Sequence, residues 1–206
     1  MDNLYERYPS LKECETDIEN AVKAVCGTYK DGGKLLACGN GGSCADCDHI
    51  VGELMKGFLL KREQPELLGK LEKLGFSDAE YMAKHIQGAL PAISLPHQAA
   101  LLTAFANDVA ADMIYAQMVY GYAKKEDILI CISTSGNSKN VVYAAKIAKV
   151  LGIKTVALTG KNESKLSEIC DVAVRVPETE TYKVQELHLP VYHYICAKTE
   201  KEFFNN

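Results

Sequence analysis

The sequence predicts an α/β protein: a parallel sheet with helices on both faces. Short apolar runs too brief for helices recur at 34–38, 91–95, 127–132, 154–159 and 171–176, and segments with helical spacing separate them. Two of the runs end in glycine- and serine-rich loops, Gly39-Asn40-Gly41-Gly42-Ser43 and Ser133-Thr134-Ser135-Gly136-Asn137-Ser138, each followed by a helical pattern. A strand that ends this way presents bare N–H groups and hydroxyls at a positive helix terminus, an arrangement that holds anions, phosphate above all. One such loop is a weak signal, because Gly and Ser also make ordinary turns. Two of them point to one phosphorylated small molecule.

The elements follow in order. Ser10-Leu11-Lys12-Glu13 reads as a capping box, with apolar Ile18, Ala21, Val22 and Val25 behind it, so a first helix is expected to run to the stop at Lys30-Asp31-Gly32-Gly33. The first strand, the first loop and a helix over about 43–56 come next. Residues 59–88 are charged, contain Gln64-Pro65-Glu66 and carry a second capping box at Ser77-Asp78-Ala79-Glu80; they read as a helical insertion. The strand at 91–95 precedes helices expected near 98–106 and 110–123. The strand at 127–132 feeds the second loop, and Ser138 opens a helix ending at Leu151-Gly152. A strand at 154–159, a short helix near 163–169, a strand at 171–176 and a long helix from Tyr182 to Phe203 complete the chain. Ligands of such sheets bind beyond the carboxyl ends of the strands, where both loops would lie.

Bulk properties narrow the function. With 206 residues and 48% hydrophobic content, one domain with a sizeable core is expected. A formal charge of -4 gives no broad attraction to nucleic acid or to an anionic membrane, so an anionic ligand must be held locally. No apolar run is long enough to span a bilayer, and Met1-Asp2-Asn3-Leu4-Tyr5 lacks a signal-peptide pattern. The eight cysteines lie mostly in apolar segments, as free thiols do in reducing compartments, and a cytoplasmic location is expected. Cys44 and Cys47 form a lone C-x-x-C without a partner pair, read as small side chains packing under the first loop.

Candidate chemistry sits near the loops. His49 and Glu53, four apart, share one face of the helix that starts at the first loop, close enough to grip one metal ion or one substrate. An isolated pair of this kind is most often a surface contact, but its nearness to the anion loop reverses those odds. The last helix carries Gln185, Glu186, His188 and His193 among apolar residues; His188 reads as a core or interface histidine without chemistry. Gln185 and His193 are separated by an axial rise of about 12 Å. To serve one centre they would need an irregular helix or two subunits, and two subunits are favoured. Asn107-Asp108 reads equally as a helix cap or a ligand contact, and Lys56, Lys61 and Arg62 as a solvated edge.

In order and spacing, Gly39–Ser43, His49, Glu53, Asn107-Asp108, Ser133–Ser138, Gln185 and His193 closely resemble the phosphoheptose isomerases, which are sugar-isomerase (SIS) domain proteins. The resemblance implies a flavodoxin-like sheet in a single SIS domain and conversion of sedoheptulose 7-phosphate to D-glycero-D-manno-heptose 7-phosphate. It also implies a homotetramer with active sites at subunit interfaces, and often a bound zinc. Carried over, Asn40, Gly41, Gly42, Ser43, Glu53, Asn107, Asp108 and Gln185 contact substrate, while Ser133, Thr134, Ser135 and Ser138 hold its phosphate. His49, Glu53, Gln185 and His193 match the metal ligands, and Glu53 and His193 the acid/base pair. The 59–88 segment is longer than the family's usual connection. Non-catalytic relatives that bind a replication initiator lack residues matching Glu53 and His193; this chain has both.

Overall fold

The computed structural model describes residues 3–204 and has a five-stranded parallel sheet in the order β2-β1-β3-β4-β5. The strands are β1 (Leu35–Gly39), β2 (Ala92–Ser94), β3 (Ile128–Ile132), β4 (Lys154–Thr159) and β5 (Val172–Arg175). In the central strands β1 and β3 every residue is buried, which is why they read as unbroken apolar runs rather than alternating ones. β1 and β3 pair in register from Leu35 with Ile128 to Gly39 with Ile132, so both loops leave the same edge of the sheet. This strand order is that of flavodoxin-like sheets.

The helices form the outer layers: α1 (Leu4–Arg7), α2 (Glu15–Lys30), α3 (Gly42–Met55), α4 (Pro65–Lys73), α5 (Ala79–His85), α6 (Ala99–Phe105), α7 (Ile114–Tyr122), α8 (Lys139–Val150), α9 (Lys165–Ile169) and α10 (Thr181–Phe204). Alternation along the strands builds two cores. Leu35, Ala37, Ile130 and Val156 pack with α2, α3 and α10 on one face. Leu36, Cys38, Leu129 and Ala157 pack with α7, α8 and α9 on the other.

Several local expectations need correction. Ser10–Glu13 is not a capping box: Pro9–Cys14 is a 3-10 helix, and Cys14 stands at the N-cap of α2 without a side-chain capping bond. Asp78, ahead of α5, likewise makes no side-chain cap. The helix expected over 110–123 starts at Ile114, because a π turn (Ala106–Ala110) and a 3-10 turn (Ala111–Met113) come first. The 59–88 segment does hold two helices, α4 and α5.

Arg62 is the largest departure. It is no surface cation: its side chain and that of Glu200 are both fully buried, with Nε donating to Glu200 Oε1 at 2.8 Å. Two further donors cap the end of α3, Nη1 to the Leu54 carbonyl (2.6 Å) and Nη2 to the Glu53 carbonyl (2.9 Å). A guanidinium here satisfies carbonyls that a helix end leaves open. Glu200 also accepts from the N–H groups of Phe58 and Leu59, both at 2.7 Å. These bonds hold the end of α3 against α10.

Candidate active site

The two loops line one cleft of about 410 Å³ with Asn40, Gly41, Gly42, Ser43, Ser133, Thr134 and Ser138, and α10 closes it with Thr181 and Gln185. Gly41 has φ +57°, a conformation that glycine adopts without strain, and a Cβ on Gly42 would collide with the Gln185 amide. The glycines thus let α10 approach the start of α3. Ser133 and Ser138 have their hydroxyls 3.0 Å apart across the second loop. Asn40 and Asn140 exchange amide hydrogen bonds, each 2.9 Å, which tie the first loop to α8. Tyr115 of α7 donates to the Gly39 carbonyl at 2.7 Å and supports the first loop from the other side. Ser135 is exposed and lines an adjoining cavity with Thr134 and Asn137.

A second group lies where α3 meets α10. Nε2 of His49 is 3.2 Å from Glu53 Oε1 and 3.3 Å from Nε2 of His193. The donor atoms of His49, Glu53 and His193 all lie within 4.8 Å of one another. The rings of His49 and His193 meet edge to face at 4.7 Å, and Phe58 covers His193 at 5.4 Å. Burial, with His49 adding to it, holds the His193 pKa below the ordinary imidazole value, against the raising effect of Glu53. His193 is therefore neutral at pH 7 and able to take a proton or offer a lone pair.

Tyr192 sets the orientation of His49. Its hydroxyl donates to Asp46 Oδ1 at 3.2 Å and lies 3.0 Å from His49 Nδ1. An ionised carboxylate only accepts, so the single phenolic proton goes to Asp46 and the phenolic oxygen takes Nδ1–H of His49. Nε2 is then the His49 nitrogen that faces Glu53 and His193. Glu53 Oε2 is buried without a hydrogen-bond partner, although Lys56 Nζ stands 3.6 Å away. Converging nitrogen and carboxylate donors with an unsatisfied buried oxygen suit a dication such as zinc.

The structure thus brings together His49, Glu53 and His193 in one group, and Asn40–Ser43, Ser133, Thr134, Ser138 and Gln185 in a separate cleft; His193 also lines another cavity with Leu4, Arg7, Tyr8 and Pro190 among others. Gln185 lies two turns before His193 on α10; between them Pro190 lacks the N–H that would bond the Glu186 carbonyl. Asn107 and Asp108 are exposed, bonded to each other at 2.8 Å, and are not among the residues lining the cleft. Sequence reasoning missed Asp46, Tyr115, Asn140 and Tyr192, which reach the site through side chains from separate elements.

Comparison with known proteins places the chain among related sequences and folds. SIS-domain family profiles match residues 3–82 and 94–194. A phosphoheptose isomerase of Aliarcobacter butzleri is 37% identical over 93% of this chain and 88% of its own length. One from Akkermansia muciniphila is 31% identical over 98% of this chain and 93% of its own. The structure of a phosphoheptose isomerase from Francisella tularensis superposes with a TM-score of 0.75 at 27% identity, covering 97% of each chain. One from Neisseria gonorrhoeae gives 0.73 at 28% identity, over 97% of this chain and 96% of the other.

Proposed function

The chain belongs to the phosphoheptose isomerase family of SIS-domain proteins, and from that membership we propose that it interconverts sedoheptulose 7-phosphate and D-glycero-D-manno-heptose 7-phosphate. That it is an isomerase of phosphorylated sugars follows from the family. The heptose and the roles of individual residues are our reading. The observation that supports it most is the meeting of Glu53 with His193 of α10, the same helix that closes the serine-lined cleft through Gln185.

Moving a carbonyl from C2 to C1 requires removal of a C1 proton, stabilisation of an enediolate and return of a proton at C2. In this reading the Glu53 carboxylate takes the C1 proton and delivers it to C2. His193, neutral at pH 7, moves protons between the O1 and O2 oxygens. A positioned acid or base is typically worth about 10²–10⁴-fold. Ser133, Thr134, Ser135 and Ser138 hold the phosphate with N–H groups at the start of α8, and this remote binding orients the reacting carbons. Asn40, Gly41, Gly42, Ser43 and Gln185 contact the sugar hydroxyls.

The donor set of His49, Glu53 and His193 fits zinc, with Gln185 as the further ligand assigned by resemblance. When bound, the ion supplies positive charge that stabilises the enediolate oxygens. The exposed Asn107 and Asp108, and the helical distance between Gln185 and His193, agree with sites shared between subunits of a homotetramer. All eight cysteines are free, in keeping with a cytoplasmic setting, and among the described residues no helix is long and apolar enough to cross a membrane.

Incubation with a panel of ketose phosphates, followed by NMR, tests the assignment. Fastest conversion of sedoheptulose 7-phosphate supports it. Preference for a shorter ketose phosphate would keep the isomerase and replace the substrate.

A further inference from the structure

On α3, Cys44 and Asp48 lie one turn apart, and the helical repeat puts them on the side roughly opposite His49 and Glu53. His97, in the 3-10 turn Leu95–His97 that follows β2, reaches the same place. The donor atoms of Cys44, Asp48 and His97 all lie within 4.8 Å of one another. We propose that these three residues form a second divalent-cation site, for zinc or a dication of similar softness.

Donor chemistry comes first. A thiolate, a carboxylate and a neutral imidazole are the three side-chain ligand types that zinc accepts, and together they bring two negative charges to a doubly charged ion. The carboxylate is already oriented: Ser94 donates to Asp48 Oδ1 at 2.5 Å, while Oδ2 meets His97 Nε2 at 2.7 Å. Such outer contacts are what hold a metal ligand in place.

Access is provided too. A cleft of about 440 Å³, lined by Asp48, Val51, Ser94, His97 and Gln98 among others, adjoins the group and leaves room for a water or ligand in a fourth position. Cys44 is also the suitable thiol. Cys47 is buried and bonds the Ser43 carbonyl, whereas Cys44 is half-buried in the first turn of α3, where the helix dipole favours a thiolate. In the metal-free protein, burial and the Asp48 charge push the Cys44 thiol pKa up. A bound cation reverses that effect, and the thiol proton leaves to solvent. The site would clip α3 to the segment after β2 without using any residue of the isomerase site.

Cobalt(II) titration of the metal-free protein tests this directly, because among the described residues this is the candidate metal cluster that contains a cysteine. Wild-type protein should develop the near-ultraviolet thiolate-to-cobalt charge-transfer band. Cys44→Ser should lose that band while retaining cobalt binding at the histidine pair, and His97→Ala should weaken the band-forming event by at least about tenfold. Glu53→Gln should leave the band intact, which separates this proposal from the reading of the isomerase site. Absence of the band from wild type, its persistence in Cys44→Ser, or its loss in Glu53→Gln overturns the proposal.

Discussion

The Tyr192 hydroxyl lies 3.0 Å from Nδ1 of His49 and gives its own proton to Asp46, so the other ring nitrogen, Nε2, is turned toward Glu53 and His193. Tyr192→Phe keeps the ring and removes this constraint. Loss of an outer-shell partner typically costs about 10–100-fold in metal affinity. Zinc binding to the metal-free variant, followed by competition with a chelator, should weaken by that factor. Unchanged affinity would show that the tyrosine does not set the imidazole.

Arg62, which caps the end of α3, and Glu200 of α10 form a fully buried ion pair. Breaking a buried pair on one side leaves an uncompensated charge, at a cost of about 3–5 kcal/mol. Glu200→Gln should lower the urea unfolding free energy by that amount. Replacing both residues with apolar side chains of similar volume should cost less than the single change. Equal or greater loss in the double variant would mean that the hydrogen bonds to Phe58 and Leu59 matter more than the charge balance.

The strands and the positions of both glycine- and serine-rich loops were legible in the sequence because they depend on local pattern: unbroken apolar runs such as 128–132, then Gly and Ser at a helix start. His49 and Glu53 were legible for the same reason, being one helical turn apart. Arg62 was misread because nothing local distinguishes a cation that caps α3 from one in water; its partner Glu200 is 138 residues away. Asn140 and Tyr192 escaped notice likewise, since their partners Asn40 and Asp46 are 100 and 146 residues distant. The false capping box at Ser10–Glu13 had the right residues, but Pro9 starts a tighter 3-10 turn there.

His188 is fully buried in α10, and burial lowers its pKa to about 4 from 6.5, with the Thr159 backbone offsetting part of the effect. Between those values the unfolded chain binds a proton that the folded chain refuses. Stability is therefore complete above pH 6.5 and falls as pH drops toward 4, by about 3 kcal/mol for this group. Urea unfolding at pH 7 and pH 5 should show the loss, and His188→Leu should flatten the slope. An equal slope in the variant would assign the effect to other groups.

Ser133 and Ser138 face each other across the proposed phosphate cradle. A hydrogen bond to a charged group is worth about 1.5–3 kcal/mol, so Ser138→Ala should raise KM about 10–100-fold. The value of kcat should change much less, because the contact is present in both ground and transition states. A fall confined to kcat would move Ser138 from substrate binding to the chemical step.

The central claim is that Glu53 moves the proton between C1 and C2. Single-turnover kinetics of Glu53→Gln with sedoheptulose 7-phosphate test it most directly. The predicted result is a loss of at least about 10²-fold in the isomerisation rate, with binding of the sugar phosphate retained. Near-normal turnover in that variant would contradict it.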